Sequence, residues 1–102
     1  MTKFLDPITP GEVLFKEFMA PLNISQNRLA RDIDVPPSRV HAVIHGKRSI
    51  TADMALRLGK YFGTPAALWI NLQSHYELEV ATRQIWPIIE PRIKVFAEQP
   101  PP

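Results

Sequence analysis

Apolar residues recur along the chain at helical spacing, and the breaks between runs carry capping residues, glycines or prolines. The first run follows Thr9-Pro10-Gly11-Glu12. This is a capping box, in which the Thr9 hydroxyl accepts from the Glu12 backbone N–H and the Glu12 carboxylate reaches back. Pro10 suits the first helical position, where its missing N–H costs nothing. Val13, Leu14, Phe18 and Met19 make the inward face, and Pro21 closes the helix. Ser25 caps a second helix with Leu29, Ala30 and Ile33 inward. After Asp34 and Val35, Pro36-Pro37 opens a third, with Val40, Val43 and Ile44 inward and Gly46 as its stop. Thr51 caps a fourth carrying Met54, Ala55, Leu58 and Phe62, ended by Gly63. Thr64-Pro65 starts a long fifth helix to about Ile85. Its stripe of Leu68, Trp69, Leu72, Tyr76 and Val80 is longer than one small core requires.

The pattern predicts an all-α, five-helix domain over residues 1–86 and a C-terminal tail over 87–102, extended or partly disordered. Pro87 is expected to stop the fifth helix, and Arg92–Phe96 alternates loosely enough for a short strand. A chain of 102 residues with 45% hydrophobic and 22% charged positions fits one folded domain. No apolar run approaches the ~20 residues that span a bilayer. The opening stretch MTKFLDPITPGE lacks the apolar core of a secretion signal. With no cysteine, disulfides and thiolate metal sites are excluded, and the expected location is cytoplasmic.

Charge changes the picture through its distribution. The net value is only +2, but residues 25–60 hold Arg28, Arg31, Arg39, Lys47, Arg48, Arg57 and Lys60 against Asp32, Asp34 and Asp53. The positive surplus that could meet a polyanion is therefore in the middle third of the chain.

Three chemistries are candidates for that segment. His41 and His45 have the i, i+4 spacing of two zinc ligands, but no third ligand lies at a suitable spacing and Ala42 replaces the glutamate of a protease helix. No metal or cofactor is expected. Gly46-Lys47-Arg48-Ser49 has the ending of a phosphate-binding loop without its earlier glycines. The serines have no evident His/acid partners, so an enzyme is not expected. A helix-turn-helix accounts for more. Ala30 permits close helix crossing, Asp34 tolerates a left-handed turn, and Val35 and Val40 fill the space between the helices. Ser38, His41, Ala42 and His45 are then left facing outward, flanked by Arg39.

The stretch from Ser25 to Ala81 resembles the lambda-repressor-like, Xre-type helix-turn-helix family, and more narrowly the HigA-type antitoxins of toxin–antitoxin modules. The segments that carry the likeness are PGEVLFKEFMAPLNIS, VPPSRV, GKRSIT and DMALRLGKYFGTPAALWINLQ, together about residues 9–82. The resemblance implies a dimeric repressor of its own operon that also neutralises a RelE-like, ribosome-dependent mRNA endonuclease. The competing reading is a stand-alone Xre-type repressor without a toxin, and a third is an interaction module that has lost DNA binding. Two positions depart from the wider family: Asp34 stands where glycine is usual, and Pro37 where many repressors place a base-reading polar residue.

On this reading Ser25, Gln26 and Asn27 grip the DNA backbone, Ser38, Arg39, His41, Ala42 and His45 enter the major groove of an inverted-repeat operator, and Lys47 and Arg48 hold phosphates. Arg39 is expected to contribute most to sequence choice, and Leu72, Tyr76 and Val80 to form the homodimer contact. Lys16 and Glu17 on the first helix, or the apolar tail residues Ile88, Ile89, Ile93, Val95 and Phe96, remain for a toxin, the alternative for the tail being to fold back on its own dimer.

Overall fold

Residues 6–97 are described by the computed structural model. Helix α1 (Pro10–Val13) starts at the expected capping box: Thr9 Oγ1 accepts from the Glu12 N–H at 3.1 Å, and the Thr9 N–H donates to Glu12 Oε1 at 3.2 Å. The Thr9 backbone N–H, then Lys16, hold the Glu12 carboxyl below its usual range. A depressed folded-state value means that this contribution to stability is complete above the ordinary carboxylate range and is lost as pH falls through the folded value. Glu12→Gln should therefore lower the neutral-pH unfolding midpoint while flattening its decline toward acid, measured by urea titration at several pH values.

The helix continues as a wider π-helical stretch, Leu14–Met19, in which the Ala20 N–H reaches Phe15 O at 2.8 Å. In an α-helix Leu14 and Met19 would lie about 140° apart. Bonding to the fifth residue back brings them toward one side, and both are fully buried. A single regular first helix was the expectation; the need to bury both residues explains the departure.

Helices α2 (Gln26–Ile33), α3 (Pro37–Ile44), α4 (Ala52–Phe62) and α5 (Ala66–Gln84) match the expected runs. Ser25 and Thr51 cap α2 and α4 through the N–H groups of Arg28 and Met54. Asp34 takes the left-handed conformation, φ 62° and ψ 51°, and turns the chain from α2 into α3. Leu29, Ala30, Ile33, Val35, Val40, Val43, Ile50, Met54, Ala55, Leu58 and Trp69 complete the core with Leu14 and Met19. Trp69 packs on Phe18 at a ring separation of 4.8 Å, and its Nε1 donates to Thr64 Oγ1 at 2.9 Å.

Gly11 sets how closely α1 approaches α3. A Cβ there would collide with the Val43 carbonyl oxygen and stand 2.7 Å from that of Ile44. Alanine would gain about 1 kcal/mol of helix propensity. The obstruction is backbone, so no side-chain rotation relieves it and the helices must separate. Overpacking of about 1–3 kcal/mol should outweigh that gain. Gly11→Ala should lower the urea midpoint and broaden the amide spectrum of α3.

The C-terminal expectation needs correction. After α5 the chain forms a sixth helix, α6 (Trp86–Ile89), and a 3-10 turn, Glu90–Arg92. Proline is tolerated in a first helical turn, so Pro87 and Pro91 each sit inside a new short element instead of abolishing helix. Ile93 is extended, residues 94–97 form no regular element, and no strand occurs among the described residues. The three terminal prolines lie outside them. Among the described residues no helix is long and apolar enough to cross a membrane. The chain measures 62 × 37 × 21 Å, with a radius of gyration of 18.1 Å against roughly 13 Å for a compact domain of this length.

Candidate nucleic-acid interface

The start of α2, the outer side of α3 and the loop after α3 form one continuous surface. Ser38, His41, Ala42 and His45 make the outward stripe of α3; Ala42 is half-buried and the other three are exposed. The His41 and His45 rings touch in a tilted arrangement, with centroids 4.1 Å apart and planes at 43°. His41 Nδ1 donates to Gln26 Oε1 at 3.3 Å, which joins this stripe to the beginning of α2. Gln26 therefore braces α3, while Ser25 and Asn27 are exposed beside it.

The loop is fixed by its backbone. Gly46 adopts φ 74°, and the N–H groups of Lys47 and Arg48 donate to Ala42 O at 2.8 and 3.2 Å. This satisfies the end of α3 and sets both basic residues next to its outer face. Both are exposed, and no ion pair of theirs occurs among the described residues. The other side of the loop is tied to α5. The Ile50 N–H donates to buried Gln73 Oε1 at 2.8 Å, Gln73 Nε2 donates to Glu77 Oε2 at 3.0 Å, and Ser49 Oγ donates to the same oxygen at 3.1 Å.

Arg39 is placed differently from the other expected base contacts. It lies about 100° round α3 from Ser38 and leans toward the start of α4. Its Nη2 donates to Thr51 Oγ1 at 3.4 Å and stands 3.5 Å from Asp53 Oδ2. Arg57 donates through Nε to the same Asp53 oxygen at 3.0 Å, and through Nη1 to the carbonyl oxygens of Ile33 and Asp34 at 2.7 and 3.0 Å. Arg57 thus ties the helix-turn-helix corner to α4. Its partners Ile33 and Asp34 are too far away in sequence to be read, although the Asp53–Arg57 spacing of four is visible there. Gln73 was likewise missed, because a glutamine beside Leu72 looks like a surface residue until the loop amide is placed on it.

Leu72, Tyr76 and Val80 lie on the side of α5 that carries Trp69, and all three are half-buried. The opposite side presents Leu78, 68% exposed, and Ile85, 55% exposed; with Ala81, Thr82 and Trp86 they line an apolar groove. Among the described residues no group of three or more His, Cys, Asp or Glu is placed to hold a metal ion.

A helix-turn-helix family model matches residues 15–69, which contain all ten expected DNA contacts. A HigA-family addiction-module antidote protein from Coxiella burnetii superposes with a TM-score of 0.84 at 41% identity, covering 90% of this chain and 100% of that one. The chain belongs to the helix-turn-helix family, in its HigA branch. This is a family of DNA-binding proteins and not of enzymes. The antitoxin HigA of Pseudomonas aeruginosa, solved with the higBA promoter, has a TM-score of 0.83 at 44% identity over 86% of this chain and 96% of that one. Virulence-associated protein I of Dichelobacter nodosus is 45% identical over 74 residues, 72% of this chain and 68% of that protein.

Proposed function

We propose that the protein is the antitoxin of a type II toxin–antitoxin module. It binds an inverted-repeat operator as a dimer, represses its own operon and neutralises a RelE-like mRNA endonuclease. The observation that carries this reading is the surface joining the α3 stripe to the exposed Lys47 and Arg48, on a HigA-type scaffold. The exposed stripe carries small and polar side chains able to enter a major groove, and the start of α2 presents backbone N–H groups suited to phosphates. Pro37 and Ser38 are exposed at the start of α3; proline cannot hydrogen-bond a base edge, so readout passes to Ser38, Arg39, His41 and His45.

The test is fluorescence anisotropy with a duplex taken from upstream of the protein's own gene and a scrambled duplex of equal length. Preference for the upstream duplex is expected, and Arg39→Ala should reduce it by about 5- to 100-fold through loss of a guanine contact worth ~1–3 kcal/mol. Unchanged preference in that variant would remove Arg39 from base reading.

The dimer contact belongs to the distal half of α5. A single recognition helix buries too little surface for tight specific binding, so two are needed on adjacent turns of DNA. Tyr76 and Val80 contribute from the half-buried side, and the exposed apolar groove of Leu78, Ile85 and Trp86 extends the contact beyond them. Light scattering at micromolar concentration should give a dimer, and Leu78→Lys with Ile85→Lys should give a monomer; a monomeric unsubstituted protein would refute the assignment.

With DNA and the second copy assigned, the outer face of α1 and its π-helical continuation remains for the toxin: Phe15, Lys16 and Glu17 are all exposed on that continuation. The tail residues Ile93, Val95 and Phe96 are also exposed, and they follow directly from the α6 end of the dimer surface. Deleting residues 87–102 should therefore leave protection against a co-expressed neighbouring toxin. Loss of protection with the dimer intact would transfer the toxin contact from α1 to the tail.

A further inference from the structure

The α3–α4 junction contains a charge cluster of which the proposed DNA reading uses only Arg39. Asp53 stands between two guanidinium groups, Arg57 at 3.0 Å and Arg39 at 3.5 Å. These two arginines are held unequally. Arg57 has two backbone carbonyl partners besides Asp53, so it is anchored wherever Arg39 goes. Among the described residues Arg39 has only Asp53 at 3.5 Å and the Thr51 hydroxyl at 3.4 Å. Its side chain is 28% exposed, so the tether keeps its head close to the protein at the edge of the reading surface.

We propose that Asp53 is a positioning residue for sequence selectivity, holding Arg39 away from phosphates until a guanine edge is available. This rests on the proposed operator reading by α3. To reach DNA, the Arg39 head must give up Asp53 and Thr51. A phosphate reached from this position offers a charge-assisted bond in exchange for one already made, so the net gain is small. Guanine offers O6 and N7 together, in the plane and spacing of a guanidinium, and is the better exchange. When Arg39 leaves, Arg57 remains on Asp53, so the carboxylate is not stranded and release stays reversible. Without Asp53, Arg39 would be free to reach phosphates on any sequence. Asp53 therefore acts on the difference between specific and non-specific binding, and it does so without touching DNA.

The experiment compares the full chain with Asp53→Asn, Arg39→Ala and the double variant, on the upstream and scrambled duplexes, across a salt series. Asp53→Asn should tighten binding to scrambled DNA and steepen its log–log salt dependence by about one contact per protomer. The upstream duplex should gain less, so the preference should fall by about fivefold or more. In the Arg39→Ala background the same change should shift both duplexes alike. Asp53→Glu, which keeps the charge, should recover most of the preference, and it supplies a second reading if the asparagine variant folds poorly. If Asp53→Asn strengthens both duplexes by one factor, the residue is only a local repulsive charge and the proposal is overturned. If the unsubstituted protein shows no preference for its upstream DNA, the operator reading falls and this inference falls with it.

Discussion

Trp69→Ala should lower the stability of the fold by about 3–5 kcal/mol, the range for emptying a fully buried aromatic site. Trp69 has no exposed surface and packs against Phe18 at 4.8 Å and Phe62 at 6.2 Å between ring centroids. Phe18 and Phe62 belong to the first and fourth helices, so the indole joins both to α5 and the cavity would open at their meeting point. Small domains have only about 5–15 kcal/mol in total, so the variant should be partly unfolded near body temperature. Trp69→Phe should cost much less. It retains most of the volume but leaves the Thr64 hydroxyl without its indole partner, a loss of about 1 kcal/mol. Urea unfolding followed by far-ultraviolet circular dichroism measures both. A Trp69→Ala protein as stable as the unsubstituted one would mean that the fifth helix is not packed on this core.

The second large effect concerns DNA. Neutralising Lys47 and Arg48 together removes two exposed charges per protomer, hence four from a dimer. If each holds a phosphate, the slope of log affinity against log salt should shrink by about 3.6. At moderate salt, affinity should fall on the order of 100- to 1,000-fold, after discounting charge-assisted bonds for their exposure to solvent. The fall should be the same for upstream and scrambled DNA, since phosphates carry no sequence information. This contrasts with Arg39→Ala, whose effect should be confined to the preferred sequence. The two variants thus separate holding from reading on a single surface.

How far the sequence announces this arrangement depends on the range of the interactions. The capping groups Thr9, Ser25 and Thr51 act within three residues, and each accepts from the N–H three positions on. Asp34 in the left-handed turn was legible for the same reason, because its short polar side chain lowers the local cost of that conformation. Longer-range demands were not legible. The π-helical stretch is set by the need to bury Leu14 and Met19 together, which depends on what lies opposite them. Gly11 looks like a capping-box spacer until the α3 carbonyls are placed against it. In the candidate site, the outward stripe from Ser38 to His45 follows from helical periodicity alone. Arg39 does not, since Thr51 and Asp53 reach it only when α4 is docked. The apolar groove at Leu78 and Ile85 is not legible in the sequence, because it is completed by Trp86 from α6 and lies opposite the continuous stripe through Tyr76 and Val80.

If α3 reads the major groove of a two-fold operator, methylation interference records it at the bases themselves. Dimethyl sulfate marks guanine N7 in the major groove and adenine N3 in the minor groove, so the groove used is recorded by the base whose modification blocks binding. Interference is expected at guanine N7 in two clusters on the upstream duplex, their centres about 10–10.5 base pairs or a multiple of that apart. Arg39→Ala should weaken interference at one guanine in each cluster and leave the others unchanged. Interference confined to adenine N3, or a single cluster without a symmetric mate, would contradict major-groove reading by a dimer.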